Sequence, residues 1–216
     1  MILRLLRYVM AGALLTLAAG AQAQGQGQDP KLWYVAGGLG GTWYDDLSIS
    51  GAAVGDLSTD VGYTGNVSIG RDLDDIRVLR LELEGIYSRA NVNNIGGTKA
   101  DGSLDNASLM VNFLYDIHTN SPWVPYLGGG IGWSRVGMNK VSVGGTTLVD
   151  SSDNAFAYQF KGGVAYQFNP SLAMTVQYRY FATDNLGFSG SAAAPGTVKT
   201  GGTRSHNAEV GVRFNF

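Results

Sequence analysis

The chain has 216 residues, with 15 Lys and Arg against 17 Asp and Glu, 32 glycines and no cysteine. A net charge of −2 gives no basic bias toward nucleic acid, and the missing thiols exclude disulfides, thiol catalysis and thiolate metal sites. So much glycine hints at disorder, but aromatic residues at 11% oppose that and favour strands.

Residues 1–23 read as a secretory leader. Arg4 and Arg7 form a positive start, an apolar stretch runs from Tyr8 to about Ala19, and Ala21, Gln22 and Ala23 make a small-x-small cleavage site after Ala23. The apolar stretch is short of the roughly 20 residues a spanning helix needs. Removing the leader, which holds two of the basic residues, leaves 193 residues with a charge of 13 − 17 = −4, enough for one domain. Residues 24–31, including Gln24 to Pro30, read as a flexible N-terminal segment, and 32–216 as the folded domain.

From there the pattern has period two. Leu32–Trp43 and Val61–Arg71 are glycine-rich strands with partial alternation. In the third, Leu79, Leu81, Leu83 and Tyr87 oppose Arg80, Glu82, Glu84 and Ser88; in the fourth, Leu109, Val111, Phe113 and Tyr115 oppose Ser108, Asn112 and Asp116. Trp123–Val136 is again rich in glycine. The sixth sets Phe156, Tyr158, Phe160, Val164, Tyr166 and Phe168 against Gln159, Lys161 and Gln167; the seventh sets Leu172, Met174, Val176, Tyr178 and Tyr180 against Thr175, Gln177 and Arg179. The last sets Ala208, Val210, Val212, Phe214 and Phe216 against Asn207, Glu209, Arg213 and Asn215. That is eight strands. Short turns fall at Asp72–Ile76, Ile117–Pro122 and Asn169–Pro170, and long polar links at Tyr44–Asp60, Ala90–Ser103, Gly137–Asp153 and Thr183–Thr203.

Short turns alternating with long loops, and strands with one greasy and one polar face, predict an eight-stranded antiparallel transmembrane up-and-down β-barrel. It lies in the cell outer membrane, with both termini on the periplasmic side. A soluble barrel with the same strands would put the apolar face inside and the charges in water. Aromatic residues near strand ends predict two interfacial girdles: Trp33, Trp123, Tyr166 and Phe168 near the short turns, and Trp43, Tyr87, Trp133 and Tyr180 near the long loops.

All three glutamates, Glu82, Glu84 and Glu209, fall on lumen faces, together with Arg80, Lys161, Arg179 and Arg213. Five of these (Glu82, Glu84, Lys161, Arg179 and Glu209) lie at similar heights, some six to eight residues above the short turns. Buried charges persist when paired and hydrogen-bonded, so a lumenal charge network with Gln159 and Gln177 is expected to plug a barrel just wide enough for its own side chains. Pairing Glu209 with Arg179 implies that Glu209→Gln costs more alone than with Arg179→Gln.

The segments LWYVAGGLGGTWY, RLELEGIYSR, SLMVNFLYDI, PWVPYLGGGIGWS and the terminal EVGVRFNF together resemble the small OmpA-like and OmpX-like outer-membrane barrels, including surface antigens and porin-family proteins. The resemblance implies that Phe216, with Phe214 and Val212, is a C-terminal signal to the barrel-insertion machinery. It also implies outer-membrane lipids and lipopolysaccharide as surroundings, with a host or other surface ligand at the loops.

Catalysis has little support. His118 lies in a short turn, and Ser205 and His206 point to opposite faces of one strand, whereas a nucleophile and its base must meet. The long loops supply Asp45, Asp46, Asp150 and Asp153 but no histidine, and these acids do not match a calcium loop. Gly128 and Gly130 suit curvature or close strand packing, and Gly144 with Gly145 a loop tip. No cofactor or metal is expected. The reading is a structural and surface-interaction protein acting through four extracellular loops. A narrow gated pore is the alternative, and a membrane-embedded lipid-modifying enzyme a more distant one.

Overall fold

The computed structural model describes residues 32–45, 47–51, 55–73, 78–95, 98–143, 146–189 and 197–216. The expected leader, its cleavage residues Ala21 and Ala23, and segment 24–31 lie outside the described residues.

Twelve strands run through the described residues: β1 Trp33–Tyr44, β2 Leu47–Gly51, β3 Gly55–Thr59, β4 Gly62–Asp72, β5 Leu79–Ile95, β6 Thr98–Asp116, β7 Trp123–Val143, β8 Thr146–Asn169, β9 Leu172–Thr183, β10 Leu186–Ser189, β11 Thr197–Thr200 and β12 Arg204–Asn215. Eight close a ring in the order β5-β4-β1-β12-β9-β8-β7-β6, with β6 returning to β5. Closure joins first to last: Phe216 N–H donates to Trp33 C=O at 2.8 Å, and β1 pairs with β12 from Tyr34↔Asn215 to Tyr44↔Ser205. A closed antiparallel ring satisfies its backbone groups between strands, as hydrocarbon demands, and leaves no open edge.

The faces are decided by exposure. Leu81, Val176 and Val212 are 45%, 48% and 52% exposed, whereas Glu82 and Arg179 are 4% and 1% exposed. The greasy face points out and the ionised face in, which is the membrane arrangement rather than the soluble one. Trp33 and Trp43 on β1, like Trp123 and Trp133 on β7, are ten residues apart (43 − 33 and 133 − 123) and face outward. At about 3.3 Å per residue and a tilt near 45°, ten residues rise roughly 23 Å, close to the height of the apolar band of such barrels. Phe168 is exposed and Tyr166 half-buried beside Trp123 at the lower level; Tyr87 and Tyr180 are half-buried on the outer wall at the upper level.

Two of the expected long links are corrected. Residues from Ala90 to Ser103 and from Gly137 to Asp153 continue the strands: β5 reaches Ile95, β6 begins at Thr98, β7 reaches Val143 and β8 begins at Thr146. The other two links carry short strands, β2 and β3 in one, β10 and β11 in the other. These four pair as β5-β3-β2-β11-β10, and β10 runs beside β8, where Asp184 N–H donates to Phe156 C=O at 2.9 Å and Gly187 N–H to Asp153 Oδ2 at 2.8 Å. Above the upper girdle the wall therefore continues, with β3, β2, β11 and β10 standing over β4, β1, β12 and β9. The physical reason is inside. Ala90, Val92, Ala100, Leu104, Val136, Met138, Val141, Ala155 and Leu186 pack with Tyr44 into one buried cluster. Exposed Asn91, Asn93, Asn139 and Ser152 make these segments look like loops, while Ala90, Val92, Ala100, Leu104, Met138 and Val141 build a core.

Candidate functional site

The interior of the barrel is a stack of layers set by strand register. At the lower end Arg80 donates from Nε and Nη2 to Asp116 Oδ1 at 3.0 and 2.7 Å, and Arg213 Nη1 lies 3.6 Å from Asp116 Oδ2. Both guanidinium groups lie over the ring of Tyr34, at 5.2 and 5.7 Å from its centroid. Cation–π contact and a shared carboxylate thus hold two arginines side by side.

One step higher, β5, β8, β9 and β12 bring the other five charges together. Lys161 Nζ donates to Glu82 Oε1 at 2.7 Å and Glu84 Oε2 at 3.2 Å. Arg179 Nη2 donates to Glu84 Oε1 at 2.7 Å and Glu209 Oε2 at 2.9 Å. The result is a chain of alternating sign, Glu82–Lys161–Glu84–Arg179–Glu209, with three acids and two bases. Neutral donors offset the surplus acid. Asn112 Nδ2 bonds Glu82 at 3.0 Å and Glu84 at 2.7 Å, Gln159 bonds Glu84 at 2.8 Å, Tyr34 O–H and Ser68 O–H bond Glu82 at 3.0 and 3.1 Å, and Asn66 and Gln177 bond Glu209. The seven charged residues singled out from the sequence therefore form two groups, with Arg80 and Arg213 apart from the other five.

Sequence reasoning missed several members. Alternation puts Asp116 on the polar face of the fourth strand, but only strand register makes it the partner of both lower arginines. Tyr34 was masked by its neighbour Trp33, although period two already puts it on the opposite, inward face. Asn112 depends on a tertiary detail. Its side chain lies over Gly130 of β7, and a methyl group built at Gly130 would overlap the Asn112 amide. Gly70 of β4 likewise makes room for the ring of Tyr34. Gly130→Ala should displace Asn112 from Glu82 and Glu84 and cost about 1–3 kcal/mol, as overpacked sites do. A lowered urea midpoint for refolded protein in lipid vesicles checks it; an unchanged midpoint rejects the assigned fit.

A cavity of about 30 Å³ borders the network, lined in part by Gly38, Gly211, Asn66, Gln177, Glu209 and Arg213. It exists because β1 and β12 face the lumen with glycine at these positions. It is large enough for about one or two waters.

Above the charges the expected polar lumen gives way to apolar residues. Ile86, Met110, Ala157 and Phe181 form one buried cluster, and the ten-residue cluster of the upper wall stands over it. Between them Ser108, Ser134 and Asn106 bond one another, and Tyr44 bonds Ser88 at 3.0 Å. Ser205 is buried inward while His206 sits on the outer wall, so the pair does not form a nucleophile and base. Among the described residues no group of three or more His, Cys, Asp or Glu is arranged to hold a metal ion. Val212, Phe214 and Phe216 share the outward face at the lower end of the last strand.

Residues 11–216 match the family described as the outer membrane protein beta-barrel domain. The chain is 33% identical over 135 residues to an outer membrane protein of Gluconacetobacter diazotrophicus, covering 56% of this chain and 35% of that relative. The chain thus spans about a third of that protein's length. It is 25% identical over 169 residues to the outer membrane protein PagN of Salmonella typhimurium, covering 70% of each. Among solved structures it resembles neisserial surface protein A, with a TM-score of 0.55 at 21% identity over 86% of this chain and 97% of that one. It also resembles OprG of Pseudomonas aeruginosa, with a TM-score of 0.57 at 15% identity over 85% and 96%.

Proposed function

Since the chain belongs to the outer membrane protein β-barrel domain family, we propose that it is a sealed membrane anchor for a rigid surface structure, and that the wall above the outer leaflet makes its contacts. The outer-membrane location and the barrel are properties of the family. The sealed lumen and the role of the wall are the proposal. One observation carries it: the interior is filled at two heights by side chains of opposite character, an ion-paired layer in the membrane and an apolar core above it.

The core matters because Leu104, Val136 and Met138 are at most 1% exposed. A loop has no interior to bury, whereas this extension does, and so it presents fixed rather than fluctuating surfaces to a partner. Planar-bilayer recording tests the seal. Wild-type protein is expected to give no stable conductance steps, and regular steps would favour the narrow pore instead. Val136→Asp tests the extension. An unpaired carboxylate in that core should cost about 3 kcal/mol and raise the opened population roughly a hundredfold. Proteinase K added outside vesicles should then trim the extension and leave the membrane part intact; equal resistance of variant and wild type would count against a structural core.

The outward exposure of Val212, Phe214 and Phe216 at every second position supports their reading as an insertion signal, and the composition of residues 1–23 supports the cleaved leader. His206, engaged by Asp45 and Tyr178 on the outer wall and apart from the inward Ser205, favours a binding role over an enzymatic one.

A further inference from the structure

On the outer wall, where β1, β12 and β9 meet the upper girdle, side chains of a kind the hydrocarbon band lacks come together. His206 stacks on Trp43 across one strand pair, with centroids 6.0 Å apart and planes at 13°, and meets Tyr180 edge-on across the other at 5.4 Å. Its Nε2 lies 3.2 Å from Asp45 Oδ1, and its Nδ1 is hydrogen-bonded to the Tyr178 hydroxyl. Both ring nitrogens are therefore engaged. With Nε2–H donating to the carboxylate, Nδ1 accepts from the phenol, and the imidazole is held as a fixed spacer between two aromatic rings.

Two residues along the same outward face of β12 stands Arg204, exposed at the rim. Other outward arginines of the described residues are engaged. Arg89 lies 3.4 Å from Asp105, Arg135 donates twice to Ser152 Oγ, and Arg71, near the opposite rim, lies over Trp33. Among the described residues the Arg204 guanidinium has neither an acidic nor a hydrogen-bonding partner. Asp45, the acid facing this patch, already has Oδ1 against His206.

We propose that Arg204, with the Trp43–His206–Tyr180 platform beneath it, binds one phosphorylated glycolipid of the outer leaflet. The height selects the ligand. The rings lie at the boundary between acyl chains and headgroups, where a flat amphipathic surface meets a sugar, and the guanidinium lies one step further out, where a phosphate attached to that sugar would sit. Arginine matches phosphate with paired donors, and a lipid supplies the acyl chains that the neighbouring wall of Val210, Val176 and Leu39 would cover. Arg204 is the anion-binding residue; His206, Asp45 and Tyr178 position the rings. The site stands outside the barrel and does not depend on the lumen being sealed.

Native mass spectrometry of the refolded full chain in detergent, titrated with diphosphorylated lipid A and with the same lipid lacking phosphate, tests this. Wild type is expected to hold one phosphorylated molecule about tenfold more tightly than the phosphate-free one. Arg204→Gln should abolish that preference, while Arg89→Gln keeps it. His206→Ala should weaken both lipids by disordering the platform. Equal binding of the two lipids by wild type overturns the proposal. So does an equal loss in Arg89→Gln, which would mean diffuse rim charge, or displacement of the lipid by millimolar inorganic phosphate, which would mean a free-anion site. Heat-dependent migration on unboiled gels verifies that each variant has folded.

Discussion

Arg179→Gln is expected to destabilise the barrel by about 3–5 kcal/mol, the usual cost of removing one partner from a buried ion pair. The reason is its position between two glutamates, 2.7 Å from Glu84 and 2.9 Å from Glu209. Without it, Glu84 keeps Lys161 at 3.2 Å, but Glu209 keeps only the amides of Asn66 and Gln177. Glu209→Gln is the milder change, because Arg179 retains Glu84 and the layer loses its surplus acid, going from three acids and two bases to two of each. Adding Glu209→Gln to Arg179→Gln should therefore recover part of the loss. This reverses the emphasis that the sequence suggests: in an isolated pair the loss of either partner is equivalent, but in this chain the shared arginine is the costlier one. Urea unfolding in lipid vesicles, followed by tryptophan fluorescence, measures it, since Trp33, Trp43, Trp123 and Trp133 all face outward and report departure from lipid. Strict additivity of the two substitutions would refute the coupling.

Truncating the charged layer should leave the barrel electrically silent. Arg179→Ala with Glu209→Ala removes two large side chains from the middle of the lumen, yet an ion would still meet the apolar core above. Leu104→Ser with Met138→Ser makes that core wettable but leaves the charged layer filled. Apolar constrictions exclude ions by dewetting, and bulky paired charges exclude them by occupancy. Two barriers in series mean that neither double variant alone conducts, whereas the combination gives stable steps in planar bilayers. Conductance from the charge-layer variant alone would show that the upper core is permeable and that the network is the sole gate. Gel migration before and after boiling separates an opened barrel from an unfolded one.

The barrel was legible because its rule is local. Alternation in Leu79–Tyr87, Leu172–Tyr180 and Ala208–Phe216 has a period of two that does not depend on which strands become neighbours; the seven charged residues turned inward by the strand pattern are buried, and Asp72 and Asp116 are buried with them. The glycine-rich strands were less legible for the complementary reason: Gly130 and Gly70 are chosen for Asn112 and Tyr34, side chains 18 and 36 positions away (130 − 112 and 70 − 34). The upper wall was read as loops because exposed Asn91, Asn93, Asn139 and Ser152 look like loop residues, and small inward residues such as Ala90, Ala100 and Ala155 carry a weak apolar signal until they pack together.

The number of barrel strands, their facing and seven of the enclosed charges thus followed from the order of residues, since a strand in hydrocarbon has two sides and each residue must take one. Which acid meets which base, that Arg179 serves two glutamates while Arg80 and Arg213 share Asp116, and that the loops close into a second core were decided by register around the ring. Register fixes the height of every side chain relative to strands distant in sequence, and a buried ion pair is set by a few ångströms of that height.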